Sequence, residues 1–478
     1  MDTPQLENQQ PEQEPQPQPQ QQFTPQPDQD TQQDTAYTES PLPTASLWER
    51  NRIMLKGLLV GTLILLMLIP GMFVANLVNE RRDRQAEVVT EVSNKWAGQQ
   101  TVIGPVLMLP YRENVLLADG KEKEMIKIAY ILPDELRVNG SMTPTVKKRS
   151  LYSVMLYGSK LKLDGSFKKL PVEALKLLPS SIMWQDARLA LSVGDMRGIT
   201  EQVTLNWNGT QQILEPGVPD NSLFSEGVSI PVNVSAETLS TFSIDLTLKG
   251  SEYLCLTPVG KSTEVTLTAP WKAPAFDGQY LPDNSSITSD NFSAHWKILP
   301  MSHNFPQYWK EARQELQKGA FGVRLIQTVD GYSKTDRSVK YALLFIALTF
   351  TFFFFLEILL KRQIHAVQYI LVGMALIIFY TLLLSISEYT GFNTAYFIAA
   401  LATVSLIGSY VFTMFKNGKT AIGFIAALAG LYFYIFILIQ SEDYALLFGS
   451  IGLFLILAVI MYFSRKIDWY ATTKRNVM

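Results

Sequence analysis

Five long apolar runs crowded into the last third of the chain decide what it can fold into. They cover residues 341–360, 367–386, 392–415, 421–439 and 444–463, with only short polar loops between them. A helix rises about 1.5 Å per residue, so each run is long enough to cross a hydrocarbon layer about 30 Å thick. The first of them carries a single charge, Glu357. Inside lipid the backbone has no water to bond, so each run is expected to be helical.

The loops set the expected orientation. Lys361, Arg362 and His365 lie between the first two runs, Lys416 and Lys419 between the third and fourth, and Arg465 and Lys466 after the fifth. The alternate loops, 387–391 and 440–443, hold Glu388, Glu442 and Asp443 and neither lysine nor arginine. Basic loops stay in the cytoplasm, so the chain enters this block from outside and its C-terminus ends inside.

A sixth run, 57–78, follows Arg50, Arg52 and Lys56. Its apolar core exceeds a signal-peptide h-region of about 7–15 residues, so it is read as a permanent first span. Arg81, Arg82 and Arg84 make its far flank basic as well, and the later loops decide that this flank is outside. Gly57 and Gly61 give a GxxxG spacing that would let another helix, a second copy included, approach closely; glycine is also common in spans generally.

Five segments follow. Residues 1–48, rich in Gln, Pro, Asp and Glu, form an acidic cytoplasmic tail with too little apolar surface to fold. Residues 49–78 are the first span, 79–338 a large β-rich domain, 339–464 a five-helix membrane bundle and 465–478 a cytoplasmic tail. Val88 and Val92, four apart among charged residues, predict that the first helix continues out of the bilayer to about Trp96. Beyond it the period becomes two: Val203, Leu205 and Trp207; Phe242, Ile244, Leu246 and Leu248; Phe292, Ala294, Trp296 and Ile298. Asp164 and Gly165 read as a hairpin turn, and 172–178 and 306–316 as short helices. The expectation is a mainly antiparallel domain with one face of each sheet solvated, long enough for two lobes.

A net charge of −2 leaves no basic footprint, which excludes nucleic acid as a partner. One cysteine, Cys255, excludes an internal disulfide framework, and three histidines leave little material for a metal centre. His295 and His303, eight apart, lack a third ligand. The sequence contains no HExxH, GxSxG, GxxxxGK[ST] or CxxC string, so nothing in it argues for an enzyme, a metal or a cofactor.

Several strings carry a family resemblance: 92–111 (VSNKWAGQQTVIGPVLMLPY), 195–199 (DMRGI), 250–252 (GSE), 257–260 (TPVG), 340–344 (KYALL), 367–371 (VQYIL), 382–392 (LLLSISEYTGF), 442–447 (EDYALL) and 468–470 (DWY). In this order, around six spans, they resemble the CreD family of bacterial inner-membrane proteins, linked with cell-envelope integrity. The likeness covers nearly everything from Asn51 to Tyr470. At 271–278 (WKAPAFDG) the chain departs from the family's usual form, with Ala275 where serine is common, which argues against an essential hydroxyl there. The resemblance implies an inner-membrane protein with a large periplasmic domain and carries over no catalytic residue or cofactor.

Each candidate residue has a functional reading and a plainer one. Intramembrane carboxylates often mark ion paths, yet Glu357 stands one turn before Lys361, and an interfacial ion pair is preferred. Glu388, Glu442 and Asp443, at helix boundaries on the outer side, would make an acidic mouth for a cation or basic peptide, or be solvated helix ends. Arg197, beside Asp195 and Gly198, reads as a tight turn with an ion pair before an anion or lipid contact. The tryptophans are read as core or sheet-face aromatics. The favoured function is a non-enzymatic protein supporting envelope integrity or the envelope stress response, its periplasmic domain binding an envelope protein, lipid or glycan. The alternative, a transporter or flippase built on the C-terminal spans, fits poorly with spans so uniformly apolar.

Overall fold

A computed structural model describes residues 52–465 except 117–121, 221–222, 303–304, 311–313, 327–330, 361, 416–417 and 442–443. The chain begins with α1 (Arg52–Leu66) and α2 (Leu68–Trp96), which run on as one rod through a single turn residue, Met67. Pro70, without an amide hydrogen, cannot bond the Leu66 carbonyl, which accounts for the interruption. α2 extends past the apolar stretch to Trp96, as the valine spacing predicts.

After the β body, the short helix α3 (Gly331–Lys340) leads into α4 (Ala342–Leu359), α5 (Ala366–Thr390), α6 (Phe392–Phe415), α7 (Gly418–Gln440) and α8 (Ala445–Ser464). The first rod and α4–α8 give six helices long and apolar enough to cross a membrane. Their common core is aromatic: Phe345 lies 4.5 Å and Phe379 4.8 Å, centroid to centroid, from Tyr432. α8 is the least enclosed of the six, with most of its side chains facing outward. In α3, Thr335 and Ser338 are fully buried against the bundle.

The body between the first and second spans consists, among the described residues, of a nine-stranded and an eight-stranded sheet. The smaller runs Asn284–Ile287, Phe292–Ile298, Ser262–Ala269, Glu135–Arg149, Tyr152–Phe167, Ser240–Ser251, Thr204–Trp207 and Thr210–Ile213. The larger is centred on Gln100–Leu116, flanked by Tyr253–Leu256 and Arg188–Val193.

Both sheets are mixed, which corrects the mainly antiparallel expectation. Gln100–Leu116 pairs in parallel with Tyr253–Leu256, and Glu135–Arg149 with Ser262–Ala269. These partners are remote in sequence, so no hairpin dictates their direction. The solvated-face expectation holds for Ser240–Ser251, where Phe242, Ile244, Leu246 and Leu248 are buried alternately with more exposed residues. It fails for Gln100–Leu116, where Val102 to Leu109 are buried without alternation, as a strand covered on both faces requires. One apolar cluster takes residues from both sheets, so the body is not divided into two lobes.

Three local expectations change. Asp164 and Gly165 do not turn the chain: they lie inside Tyr152–Phe167, Gly165 opposite Leu136 and Phe242. A Cβ on Gly165 would stand 2.2 Å from the Glu135 carbonyl and 2.4 Å from the Phe242 ring, so this glycine serves close packing. Residues 172–178 make one α-turn, Leu175 N donating to Pro171 O, which Lys176 ends at φ 54°. Within 306–316, where the sequence predicts a helix, Tyr308–Lys310 form a strand and 311–313 lie outside the described residues. A true tight turn stands at Asn208 (φ 50°) and Gly209 (φ 86°), closing the hairpin in which Trp207 pairs with Thr210.

Candidate functional site

Polar groups that a bilayer would penalise gather at the two ends of the bundle, and each set holds the first rod. At the end remote from the body, the Glu357 side chain of α4 is 6% exposed and forms an ion pair with Lys56 of α1. Its Oε1 accepts the Ile364 amide at 2.9 Å, and its Oε2 accepts the Tyr369 hydroxyl at 3.1 Å. Three chain segments thus converge on one carboxylate. Lys361, the partner expected from spacing, lies outside the described residues; the cation found at Glu357 comes from another helix.

At the body end, Tyr332 of α3 donates to Glu388 Oε1 at 3.0 Å, and Arg81 Nε of α2 stands 3.9 Å from the same oxygen. The Glu388 side chain is 10% exposed. Tyr152, at the start of its strand, adjoins this pair, its ring 6.2 Å from that of Tyr332. Burial, followed by the Glu388 charge, pushes the Tyr332 hydroxyl well above the usual phenol range. Rod, body, α3 and α5 therefore meet at one polar junction. Beside it, Lys334 of α3 donates to Gln440 at 2.9 Å, and Gln440 bonds Asn393.

A polar cavity of about 340 Å³ opens at this junction, with Lys148, Tyr152, Tyr332, Glu388 and Tyr389 among its walls. A larger cleft of about 580 Å³ between α4, α7 and α8 is walled mainly by leucine, isoleucine and phenylalanine. Such a wall suits acyl chains and offers no charged group.

Arg197 joins the far end of α2 to the body. It grips Asp195 with two nitrogens, Nε to Oδ1 at 3.0 Å and Nη2 to Oδ2 at 2.7 Å, and donates Nη1 to Asn94 O at 2.6 Å. Asp195 also accepts the Gly98 amide at 2.9 Å. The guanidinium bonds first, then these backbone amides, hold its carboxyl down at about 2. Close by, the Lys147 and Lys249 ammoniums sit 4.1 and 4.9 Å from the centre of the Trp96 ring. Arg149 reaches back to Glu91 at 3.0 Å. Arg197 is thus placed in a fastening and not beside Glu388.

Glu442, Asp443 and His303 lie outside the described residues. His295 Nδ1 bonds Thr266 at 3.1 Å. Among the described residues no three His, Cys, Asp or Glu side chains converge as metal ligands. Trp207 and Trp296 are core residues, and Trp309 stacks on Tyr130 at 5.3 Å. Burial, with the Asp277 charge, pushes the Cys255 thiol up to about 11.

Sequence reasoning missed Lys56, Tyr369, Arg81, Tyr152 and Tyr332. For Arg81 a signal existed: an arginine pointing back toward the only acidic loops of the bundle.

Six apolar helices, a mixed β body inserted after the first, and a polar junction where the two meet define a polytopic membrane protein with one large extramembrane domain. Residues 52–470 match the family described as "Inner membrane protein CreD". The chain is also 32% identical over 415 residues, 85% of its length and 92% of the relative's, to Inner membrane protein CreD of Escherichia coli (strain K12). The chain belongs to the CreD family of inner membrane proteins.

Proposed function

We propose that the chain supports envelope integrity, or the response to envelope stress, as a non-enzymatic membrane protein. In this reading the β body lies in the periplasm and binds another envelope component, a protein, lipid or glycan, while both termini are cytoplasmic. The basic and acidic loops alternate as that orientation requires.

The observation that carries the reading is the mounting of the body. α2 leaves the membrane as an uninterrupted helix and is fastened to the sheets through Arg197 to Asn94, Asp195 to Gly98 and Arg149 to Glu91. The returning chain is fastened through Tyr332 to Glu388. A body held at both of its chain ends presents its far surface at a fixed height, which suits a reader or tether of neighbouring components. In-cell photocrosslinking from positions on the body tests this. Recovery of a defined envelope component supports the reading; a body that crosslinks to nothing in intact cells contradicts it.

A further inference from the structure

The cavity beside Glu388 has features of a ligand site that the fastening does not use. All described contacts of the Glu388 carboxylate fall on Oε1, which accepts from Tyr332 and faces Arg81. Oε2, on a side chain nine-tenths buried, has no protein partner among the described residues. An oxygen without a described protein donor, on a largely buried side chain in a cavity wall, can accept from an external donor without displacing a protein hydrogen bond. Lys148, which also lines the cavity, has no carboxylate within ion-pair distance among the described residues. An anion and a cation thus line a common cavity, together with Ser150 and Ser153.

Position narrows the chemistry. Glu388 and Tyr389 occupy the last turn of α5, whose membrane-competent length ends at Thr390. The cavity therefore opens at the level of lipid headgroups, on whichever side of the membrane the body lies. Its rim includes Tyr389, 76% exposed, and Leu151, 36% exposed. A tyrosine at the interface and an apolar tip pointing past it are what the boundary between headgroup and acyl chain favours.

We propose that this cavity binds a zwitterionic phosphate–primary amine group, that of an aminophospholipid in the leaflet on the body side. The ammonium donates to Glu388 Oε2 and the phosphate meets Lys148. A primary amine fits better than a quaternary one, because the carboxylate offers a hydrogen-bond acceptor. The junction linking the first rod, the body and the bundle then has a lipid in its wall.

Native mass spectrometry of the full-length protein, given phosphatidylethanolamine and phosphatidylglycerol of identical chains, tests this. One phosphatidylethanolamine per chain should survive delipidation at least about tenfold better than phosphatidylglycerol. Glu388→Gln should abolish the preference. Lys148→Ala, which leaves the Tyr332–Glu388 bond untouched and so spares the fold, should lower retention of both lipids. Competition with glycerophosphoethanolamine identifies the source: displacement at concentrations matching the lipid assigns a free headgroup compound, and no displacement assigns the membrane lipid. Equal retention of the two lipids by the unaltered protein, or a preference unmoved in both variants, would overturn the proposal.

Discussion

The Tyr332 hydroxyl donates to Glu388 at 3.0 Å and ties the helix that leaves the β body to the end of a membrane-spanning helix. Removing the donor leaves a carboxylate with a weaker hold on Arg81, 3.9 Å away, and no other described protein donor. Tyr332→Phe is expected to cost about 1.5–3 kcal/mol, the range for hydrogen bonds to charged groups. Thermal unfolding of the purified full chain checks this, and a change within about 0.3 kcal/mol would show the bond to be incidental.

At the opposite end of the bundle, Glu357→Ala removes the carboxylate that pairs with the Lys56 ammonium. Breaking a buried pair costs about 3–5 kcal/mol, but Lys56 keeps 30% exposure and can swing toward the headgroups, so about 2 kcal/mol is expected. The paired change Lys56→Leu with Glu357→Leu should restore most of the loss. Yield and melting temperature of the two variants and the unaltered protein in one detergent decide it.

In the body, Gly165→Ala should destabilise by about 1–3 kcal/mol, since its Cβ would meet the Glu135 carbonyl and the Phe242 ring. Gly158→Ala, in the same strand with nothing within 4 Å of the added carbon, should be close to neutral. Denaturant midpoints of the two variants separate packing from chain flexibility.

Acid should loosen the fastening of α2. Asp195 has its carboxyl lowered from 3.8 to about 2. A depressed value in the folded state means stability that is present above about pH 4 and is lost as pH falls toward 2. Protection from hydrogen exchange at the Gly98 and Arg197 amides, which bond this carboxylate, measured against their intrinsic rates, should therefore fall across that interval; constant protection would contradict it.

Cys255 should react slowly. With its thiol raised from 9.0 to about 11, the thiolate fraction at pH 8 falls about a hundredfold. Alkylation of the folded chain is expected to be at least about tenfold slower than after denaturation. A rate equal to that of the denatured chain would contradict this.

Much of the fold can be read from the residues. Apolar length marks the spans, and the alternation at Phe242, Ile244, Leu246 and Leu248 marks a half-buried strand whose four side chains are buried. What escapes is pairing over distance. Alternation marks a strand such as Ser240–Ser251, but nothing local indicates that Gln100–Leu116 and Tyr253–Leu256 pair in parallel. Asp164 and Gly165 carry a turn signal that the packing of Phe242 overrides. Glu357 has Lys361 four residues away in sequence, whereas the cation that reaches it belongs to the first rod. The acids Glu357 and Glu388 stand out in an apolar background, but Lys56, Arg81, Tyr152 and Tyr332 acquire meaning only once the helices are placed side by side.

The proposed layout, with the β body outside the cytoplasmic membrane and both termini within, is tested most directly by labelling with a membrane-impermeant thiol reagent in intact spheroplasts. In a Cys255→Ala background, Ser285→Cys on an exposed strand of the body should label without lysis, and Val477→Cys near the C-terminus only after lysis. Labelling of the C-terminal position in unbroken cells, with the body position protected, would contradict it.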